Sequence, residues 1–148
     1  MNPSTRTSAT LIGSILAAEL LAIAALPVHA QDHPFVVDAP HKTTYLNGGI
    51  GSDEEHYMRT IAQEWPLRMT FAQSPGGEFV AGVRLLVTDI KGEPYLQLND
   101  AGPMTYARLP AGRYRIVASY QGHSETREVV IDGKSGRNEV FDWQRKAG

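Results

Sequence analysis

Three consecutive residues, Gln31, Asp32 and His33, have the types and the order that bind copper or nickel at a protein N-terminus. If the chain is cut after Ala30, the free amine of Gln31, two backbone amides and the imidazole of His33 provide four nitrogens in one plane. Nitrogen ligands in a square plane suit Cu(II) and Ni(II). The spacing exists only if the cut falls there, and cyclisation of an N-terminal Gln removes the amine. The alternative is a polar tail in which His33 holds no metal.

A cut at this position is expected because residues 1–30 have the pattern of a secretory signal peptide. Arg6 gives a weakly basic start, and residues 11–26 form an apolar stretch. Val28 and Ala30 place small residues three before and one before the cut. The chain lacks a twin arginine, which favours the general secretory route. We therefore expect the protein in the periplasm, or secreted, after cleavage following Ala30.

The alternative function of the same segment is a membrane anchor. The apolar stretch, residues 11–26, is shorter than the roughly 20 residues that a spanning helix needs. It also contains Glu19, and an ionised carboxylate inside a bilayer costs a few kcal/mol. Both features favour removal of the segment, so we expect a mature form that does not span a membrane.

The composition of residues 31–148 narrows the possible functions. Of the 14 basic and 16 acidic side chains of the whole chain, 13 and 15 remain without Arg6 and Glu19, a net charge of −2. This balance lacks the basic excess that binds nucleic acid or anionic lipid, so neither is an expected partner. The absence of cysteine excludes disulfides, thiolate metal sites and thiol nucleophiles. No catalytic arrangement of side chains stands out and no cofactor is predicted, so an enzyme is only a third hypothesis.

Four arginines are candidates for binding a partner. Arg113 and Arg115 share one face of a predicted strand, because alternate residues of a strand point the same way. With Arg84 or Arg127 on neighbouring strands they can form a cationic stripe for an anionic glycan or protein. The alternative is a solvated sheet face on which these arginines form salt bridges. The acidic side chains placed to do so are Glu93, Glu125 and Glu128.

One helix is predicted ahead of the strands. Residues 31–51 form an irregular arm that ends in a glycine-rich hinge, and the helix covers residues 52–65. Ser52 and Glu55 have the spacing of a capping box, in which each side chain bonds the other residue's backbone N–H. The apolar residues of the helix recur at helical spacing, and Pro66 stops it. The apolar face consists of Met58, Ile61, Ala62 and Trp65.

Residues 66–143 have the pattern of a β-sandwich. Apolar and polar residues alternate from Leu67 to Ala72, which indicates a half-buried strand. Similar segments follow at intervals of roughly 8–12 residues, separated by turns rich in Gly, Pro, Asn and Asp. We count seven strands after the helix, one of them spanning residues 79–89, and a tail at residues 144–148.

These segments resemble the carboxypeptidase regulatory-like family of β-sandwiches. The likeness rests on residues 83–89, Lys91-Gly92, residues 109–116 and the segment Tyr120-Gln121-Gly122, and it extends over residues 67–143. It implies a mainly β, seven-stranded antiparallel sandwich with the prealbumin-like, or transthyretin-like, fold. The glycine-rich hinge followed by an acidic helix also resembles small exported proteins of proteobacteria.

The strongest part of the resemblance is the turn Pro110-Ala111-Gly112 and the Tyr114 that follows it. Pro110 and Gly112 set a tight connection, and Tyr114 places an aromatic ring on the core side of the next strand. The family signature is informative about the fold and carries little information about function.

The resemblance does not extend to an enzyme activity. A related transthyretin-like branch hydrolyses 5-hydroxyisourate and needs a C-terminal Tyr-Arg-Gly-Ser tail, which residues 143–148 lack. The regulatory-like domain is also not the catalytic part of metallocarboxypeptidases. We therefore predict an exported, non-catalytic binding module of the cell envelope, with an envelope protein or polymer as its partner. The alternative function is periplasmic Cu(II) or Ni(II) binding through Gln31, Asp32 and His33.

Overall fold

Alternating apolar residues form the strands that make up most of this protein. The computed structural model describes the backbone of residues 36–38, and residues 43–146 with their side chains. Within these residues one short helix accompanies two β-sheets, so the prediction of a mainly β protein with one helix is confirmed. The strands are β1 Val36–Asp38, β2 Thr44–Gly48, β3 Leu67–Ser74, β4 Glu78–Phe79, β5 Val83–Asp89, β6 Pro94–Ala101, β7 Met104–Ala107, β8 Gly112–Tyr120, β9 His123–Ile131 and β10 Arg137–Gln144.

The strands form a six-stranded sheet and a four-stranded sheet. The larger sheet has the order β1-β2-β7-β3-β10, with β4 paired to β3, and the smaller has the order β6-β5-β8-β9. Adjacent strands of both sheets are antiparallel, except for β3 and β10. These two strands run parallel, with Leu67 opposite Arg137 at one end and Ser74 opposite Gln144 at the other. The prediction of an entirely antiparallel sandwich is therefore wrong at this pair. Alternation determines which side chains face the core, but it does not determine which strand lies alongside.

The number of strands also differs from the prediction of seven after the helix. In the described residues eight strands follow the helix, because the predicted strand at residues 79–89 is divided into β4 and β5. The division lies at Gly82, whose φ of 74° is in the left-handed region that glycine adopts without strain. The last strand ends at Gln144, one residue beyond the predicted end of the sandwich.

The main hydrophobic core lies between the inward faces of the two sheets. Leu67, Met69 and Phe71 of β3 have no exposed surface, as the period-two pattern predicts. Phe71 packs against Phe141 of β10, with ring centroids 5.6 Å apart, and both rings lie near Trp143. Each such buried side chain contributes roughly 1.5–3 kcal/mol of hydrophobic stabilisation.

A second, smaller cluster holds the helix α1, Ser52–Ile61, against the outer face of the larger sheet. Met58 of α1 is completely buried among Leu46, Trp65, Met104 and Tyr106. Leu46 and Tyr106 are opposite each other on β2 and β7, so they point to the same side of the sheet. The helix therefore covers β2 and β7, the half of the sheet on which these side chains lie.

The ends of the helix differ from the prediction. The α-helix stops at Ile61 and continues as a short 3₁₀ helix, Ala62–Glu64, before Pro66. The N-cap residue is Gly51, and no side chain caps it, so the predicted capping box of Ser52 and Glu55 is wrong. Ser52 is already inside the first turn, and Glu55 instead forms an ion pair with Arg59 at 2.7 Å.

The turn before β8 has the geometry that its sequence predicts. The hydroxyl of Tyr114 donates a hydrogen bond of 2.7 Å to the carbonyl of Pro110, four residues earlier. The ring is 2% exposed and packs edge-on against Tyr95. Burial, together with the charges of Tyr95 and Asp89, raises the pKa of Tyr114 to about 12. The aromatic ring thus fastens the turn to the core.

Candidate functional site

Two of the predicted features lie outside the described residues. These are the signal peptide, residues 1–30, and the copper or nickel site formed by Gln31, Asp32 and His33. In residues 43–146, no three His, Asp or Glu side chains come together where they could hold a metal ion. The only described helix, α1 with its 3₁₀ extension, is too short and too polar to cross a bilayer.

The four arginines predicted to bind a partner lie on two different faces of the smaller sheet. Arg113 and Arg115, two residues apart on β8, are exposed on its outer face. Arg84 of β5 is on the same face, but it lies opposite Ser119 and therefore towards the other end of β8. Arg127 of β9 lies opposite Ile116, whose side chain is in the core, so it points to the inner face.

Ion pairs within the protein occupy two of these arginines. Arg115 forms a salt bridge of 3.0 Å with Glu128, and both side chains are more than half exposed, so the pair contributes at most about 1 kcal/mol. Arg127 pairs with Glu125 at 2.8 Å and lies over the ring of Phe141, 5.2 Å from its centroid. The structure therefore brings together Arg113 and Arg115 and does not form one stripe of all four arginines.

A pocket of about 390 Å³ opens at one end of the sandwich, between the β8–β9 hairpin and the last residues of β10. We call it the end pocket. Its volume is within the range of about 300–1,000 Å³ that is usual for small-ligand sites. Its lining residues are Gln73, Tyr120, Gln121, His123, Ser124, Glu125, Asp142, Trp143, Gln144, Arg145 and Lys146.

A tight turn and a strand pair position the walls of the end pocket. Gln121 and Gly122 both have positive φ angles, 47° and 81°, as the two central residues of a type I′ hairpin turn require. The turn places Tyr120 directly opposite His123. On the other wall, the parallel pairing of β10 with β3 sets Trp143 next to Gln73.

An aromatic pair forms the base of the end pocket. The rings of Tyr120 and Trp143 have centroids 5.6 Å apart, and Trp143 in turn stacks on Phe141 in the core. The indole N–H of Trp143 donates a hydrogen bond of 3.0 Å to the carbonyl of His123, which joins β10 to β9. Trp143 is only 5% exposed, whereas Tyr120 is half-buried and presents part of its surface to the pocket. The base is therefore fixed by packing on one side and open on the other.

Three side-chain amides surround this base. Gln121 donates a hydrogen bond of 3.1 Å to the hydroxyl of Tyr120. The amides of Gln73 and Gln144 have no hydrogen-bond partner within the described part of the chain. Each amide has two N–H donors and an oxygen acceptor, so the pocket offers both kinds of group to a ligand.

Most charged groups of the end pocket are bound to the protein itself. Glu125 is paired with Arg127, as described above. Asp142 accepts a hydrogen bond from the hydroxyl of Ser74, and Arg145 forms an ion pair with Glu78. Lys146 has no ion-pair partner among the described residues. The remaining charges, those of Asp142 and Lys146, are opposite in sign, so the four charged side chains of the lining sum to zero.

A second concave surface lies on the outer face of the larger sheet, beside α1. It has a volume of about 490 Å³, and Arg68, Thr70 and Val140 line it. Val140 and Phe79 are exposed here by 49% and 38%, because the helix covers only the β2 and β7 side of the sheet. Burial raises the pKa of Tyr106, which lies at its side, against the opposing effect of Arg68 and Arg59. This surface is shallow, and its lining mixes polar side chains such as Arg59, Gln63 and Arg68 with apolar ones.

The end pocket is not predicted from the sequence, where Tyr120 belongs to the family-like segment Tyr120-Gln121-Gly122 and residue 143 ends the predicted sandwich. The Gln121-Gly122 pair was a usable signal, because a two-residue turn brings the side chains on either side of it together. The parallel pairing of β10 with β3, which completes the pocket, has no signal in the local pattern.

Comparison with known proteins provides no family for this chain. No protein-family model and no curated protein sequence matches it. Its function is therefore inferred from the geometry of its own residues.

Proposed function

We propose that this protein is an exported, non-catalytic binding module of the cell envelope, which holds an envelope polymer or protein partner in the end pocket. The observation that carries the proposal is the pocket of about 390 Å³ with an aromatic base and unpaired amides at its rim. Binding sites combine apolar, often aromatic, surface with a few polar groups that orient the ligand. The end pocket has both, and its base is anchored in the hydrophobic core.

The fold assignment that accompanies this proposal is the prealbumin-like sandwich of the carboxypeptidase regulatory-like family. Support comes from the segment Pro110-Ala111-Gly112, where the hydroxyl of Tyr114 bonds the Pro110 carbonyl. The Tyr114 ring also packs over this turn, since a Cβ built at residue 112 would lie 3.4 Å from it, an ordinary van der Waals distance. The signature residues thus form one compact turn around the aromatic ring.

The chain offers a direct test, because it has two tryptophans on opposite sides of the larger sheet. Trp143 forms the base of the end pocket, and Trp65 packs against the helix. In a Trp65→Phe variant, fluorescence therefore reports on the pocket alone. We expect saturable changes in Trp143 emission when solubilised envelope polymers and proteins are titrated into the exported protein.

Two further variants separate pocket binding from other effects. Replacing both Gln73 and Gln144 by Ala removes the unpaired amides without touching the core, and should weaken the response at least tenfold. Thr126→Ala changes an exposed residue of β9 outside the pocket and should leave it unchanged. If no envelope fraction alters Trp143 emission, or if the double variant binds as well as its parent, the end pocket is not the binding site.

A second candidate function is Cu(II) or Ni(II) binding by the tripeptide Gln31-Asp32-His33. It is favoured by the order of these residues behind a predicted cut after Ala30. N-terminal sequencing of the exported protein should give Gln31 as the first residue. Titration with Cu(II) should then produce a visible absorption band that a His33→Ala variant lacks, and a band that persists in that variant would exclude the site.

A further inference from the structure

We propose that the ligand of the end pocket is a short, uncharged saccharide segment. The inference rests on the proposed binding function and specifies the chemical class of its ligand. It depends on three properties of the pocket. These are the aromatic surface of Tyr120, the amides of Gln73 and Gln144, which have no partner among residues 43–146, and the balance of the charged groups.

The aromatic surface suits the apolar face of a sugar ring. Tyr120 is half-buried, and its ring is held from behind by Trp143 at 5.6 Å. Its hydroxyl accepts a hydrogen bond of 3.1 Å from the exposed amide of Gln121. A pyranose carries its C–H groups on one face, and these pack on an aromatic ring as any apolar surface does. The ring is therefore already oriented for stacking, with little side-chain freedom to lose on binding.

The rim suits the hydroxyl groups of the same ring. Each sugar hydroxyl is both a donor and an acceptor, and side-chain amides are the groups that match both roles. Gln73 lies opposite Trp143 in the parallel β3–β10 pair and Gln144 follows Trp143, so the two amides leave the sheet on opposite faces and line the pocket from the two sides of the strand ends. The imidazole of His123, which also has no partner among the described residues, adds a further polar group on the hairpin side.

The charged groups argue against an ionic ligand. Glu125 is paired with Arg127 and Arg145 with Glu78, so binding an ion would require one of these pairs to break. Asp142 is engaged by the hydroxyl of Ser74. Lys146 is the remaining cation, exposed at the outer end of the pocket, and a single exposed charge provides little affinity at physiological salt.

The experiment uses neutral tetrasaccharides of glucose, galactose and N-acetylglucosamine as probes, with the Trp65→Phe form of the exported protein. We expect at least one probe to cause a saturable change in Trp143 emission at millimolar concentration. Its affinity should fall at least tenfold in the variant with Gln73→Ala and Gln144→Ala, and stay the same in Thr126→Ala. It should also change less than twofold between 50 and 500 mM NaCl, because an uncharged ligand releases no counterions.

Three results would overturn the inference. They are the absence of saturation with every neutral tetrasaccharide, equal affinity in the double amide variant, or a tenfold loss of affinity at high salt. Treating the bound envelope fraction with glycoside hydrolases or with protease separates this inference from the proposed function. Glycoside hydrolases should abolish the Trp143 response and protease should not. If protease alone abolishes it, the pocket still binds a partner, but the ligand is a peptide and the saccharide inference is wrong.

Discussion

Removing the hydroxyl of Tyr114 tests how the turn before β8 is held. Tyr114→Phe deletes one oxygen and leaves the ring, which is 2% exposed and packs edge-on against Tyr95 with centroids 5.2 Å apart. The hydrogen bond of 2.7 Å to the carbonyl of Pro110 is lost. No cavity larger than a hydroxyl group is created, so the change isolates the contribution of this bond.

The expected loss is about 1 kcal/mol at neutral pH. A hydrogen bond within a protein contributes about 0.5–1.5 kcal/mol net. Pro110 is exposed, so water can satisfy its carbonyl in the variant, which keeps the cost from rising further. For a domain of this size, 1 kcal/mol corresponds to a fall in Tm of about 4 °C.

The difference in the free energy of unfolding between the wild type and Tyr114→Phe should vanish at alkaline pH. Burial raises the pKa of Tyr114 to about 12, whereas an unfolded chain releases the phenol proton near pH 10. Because the folded pKa is the higher one, this contribution to stability is complete below pH 10 and is lost as the pH rises towards 12. The wild type loses at most about 1.4 kcal/mol per pH unit through this group, and Tyr114→Phe loses none of it. The two stabilities should therefore meet near pH 11, since about 1 kcal/mol then cancels.

Urea unfolding followed by circular dichroism at several pH values between 7 and 11.5 measures both effects. Tyr120→Phe is the matched control, because the Tyr120 hydroxyl contacts only the exposed amide of Gln121 among the described residues. It should change the free energy of unfolding by less than about 0.5 kcal/mol. If Tyr114→Phe is as stable as the wild type at pH 7, or if the difference stays constant up to pH 11.5, the reasoning is refuted.

Four further substitutions test the fold. Met58→Ala empties the completely buried position that attaches the helix, so urea unfolding should show a loss of about 2–5 kcal/mol. Asn47→Ala removes two hydrogen bonds, in which the Asn47 side chain accepts from the Gly102 N–H at 2.7 Å and donates to the Asp100 carbonyl at 3.2 Å. Thermal unfolding should show that the free energy of unfolding falls by about 2 kcal/mol. Gly102→Ala would place its Cβ 2.9 Å from a neighbouring backbone oxygen, whereas Gly51→Ala meets no atom within 4 Å but adopts a strained φ of 82°. Gly102→Ala should lower the yield of folded protein, and Gly51→Ala should lower stability by only about 1 kcal/mol.

The faces of the strands were predictable from the sequence because burial alternates with a period of two. Leu67, Met69 and Phe71 follow this pattern and are fully buried. The same rule also applies to β9. Arg127 lies two and four residues before Val129 and Ile131, which are both buried. Its side chain is therefore on the inner face of the sheet, whereas that of Arg113 is on the outer face.

Features that depend on distant parts of the chain were not predictable. The parallel alignment of β10 with β3 joins residues about 70 positions apart, and no local pattern specifies it. The capping box failed for a different reason. Gly51 adopts a φ of 82° and takes the N-cap position, which moves Ser52 into the first turn where its side chain does not cap the helix.

The end pocket has one wall that is predictable from the sequence and one wall that depends on the pairing of distant strands. The hairpin turn at Gln121-Gly122 is readable in the sequence and places Tyr120 beside His123. Trp143 and Gln73 reach the pocket only because their strands are adjacent. A site assembled from three separate segments of the chain therefore requires the fold, even though its side chains are in ordinary strands, turns and a strand end.

The most direct test of the binding site uses the two indole N–H signals in a ¹H–¹⁵N NMR spectrum. The chain has two tryptophans, of which Trp143 lies at the base of the end pocket and Trp65 lies beside the helix. On titration of the exported protein with a neutral tetrasaccharide, the Trp143 signal should shift in a saturable manner and the Trp65 signal should stay in place. An unchanged Trp143 signal at saturating ligand, or a shift of Trp65 alone, would contradict binding in the end pocket.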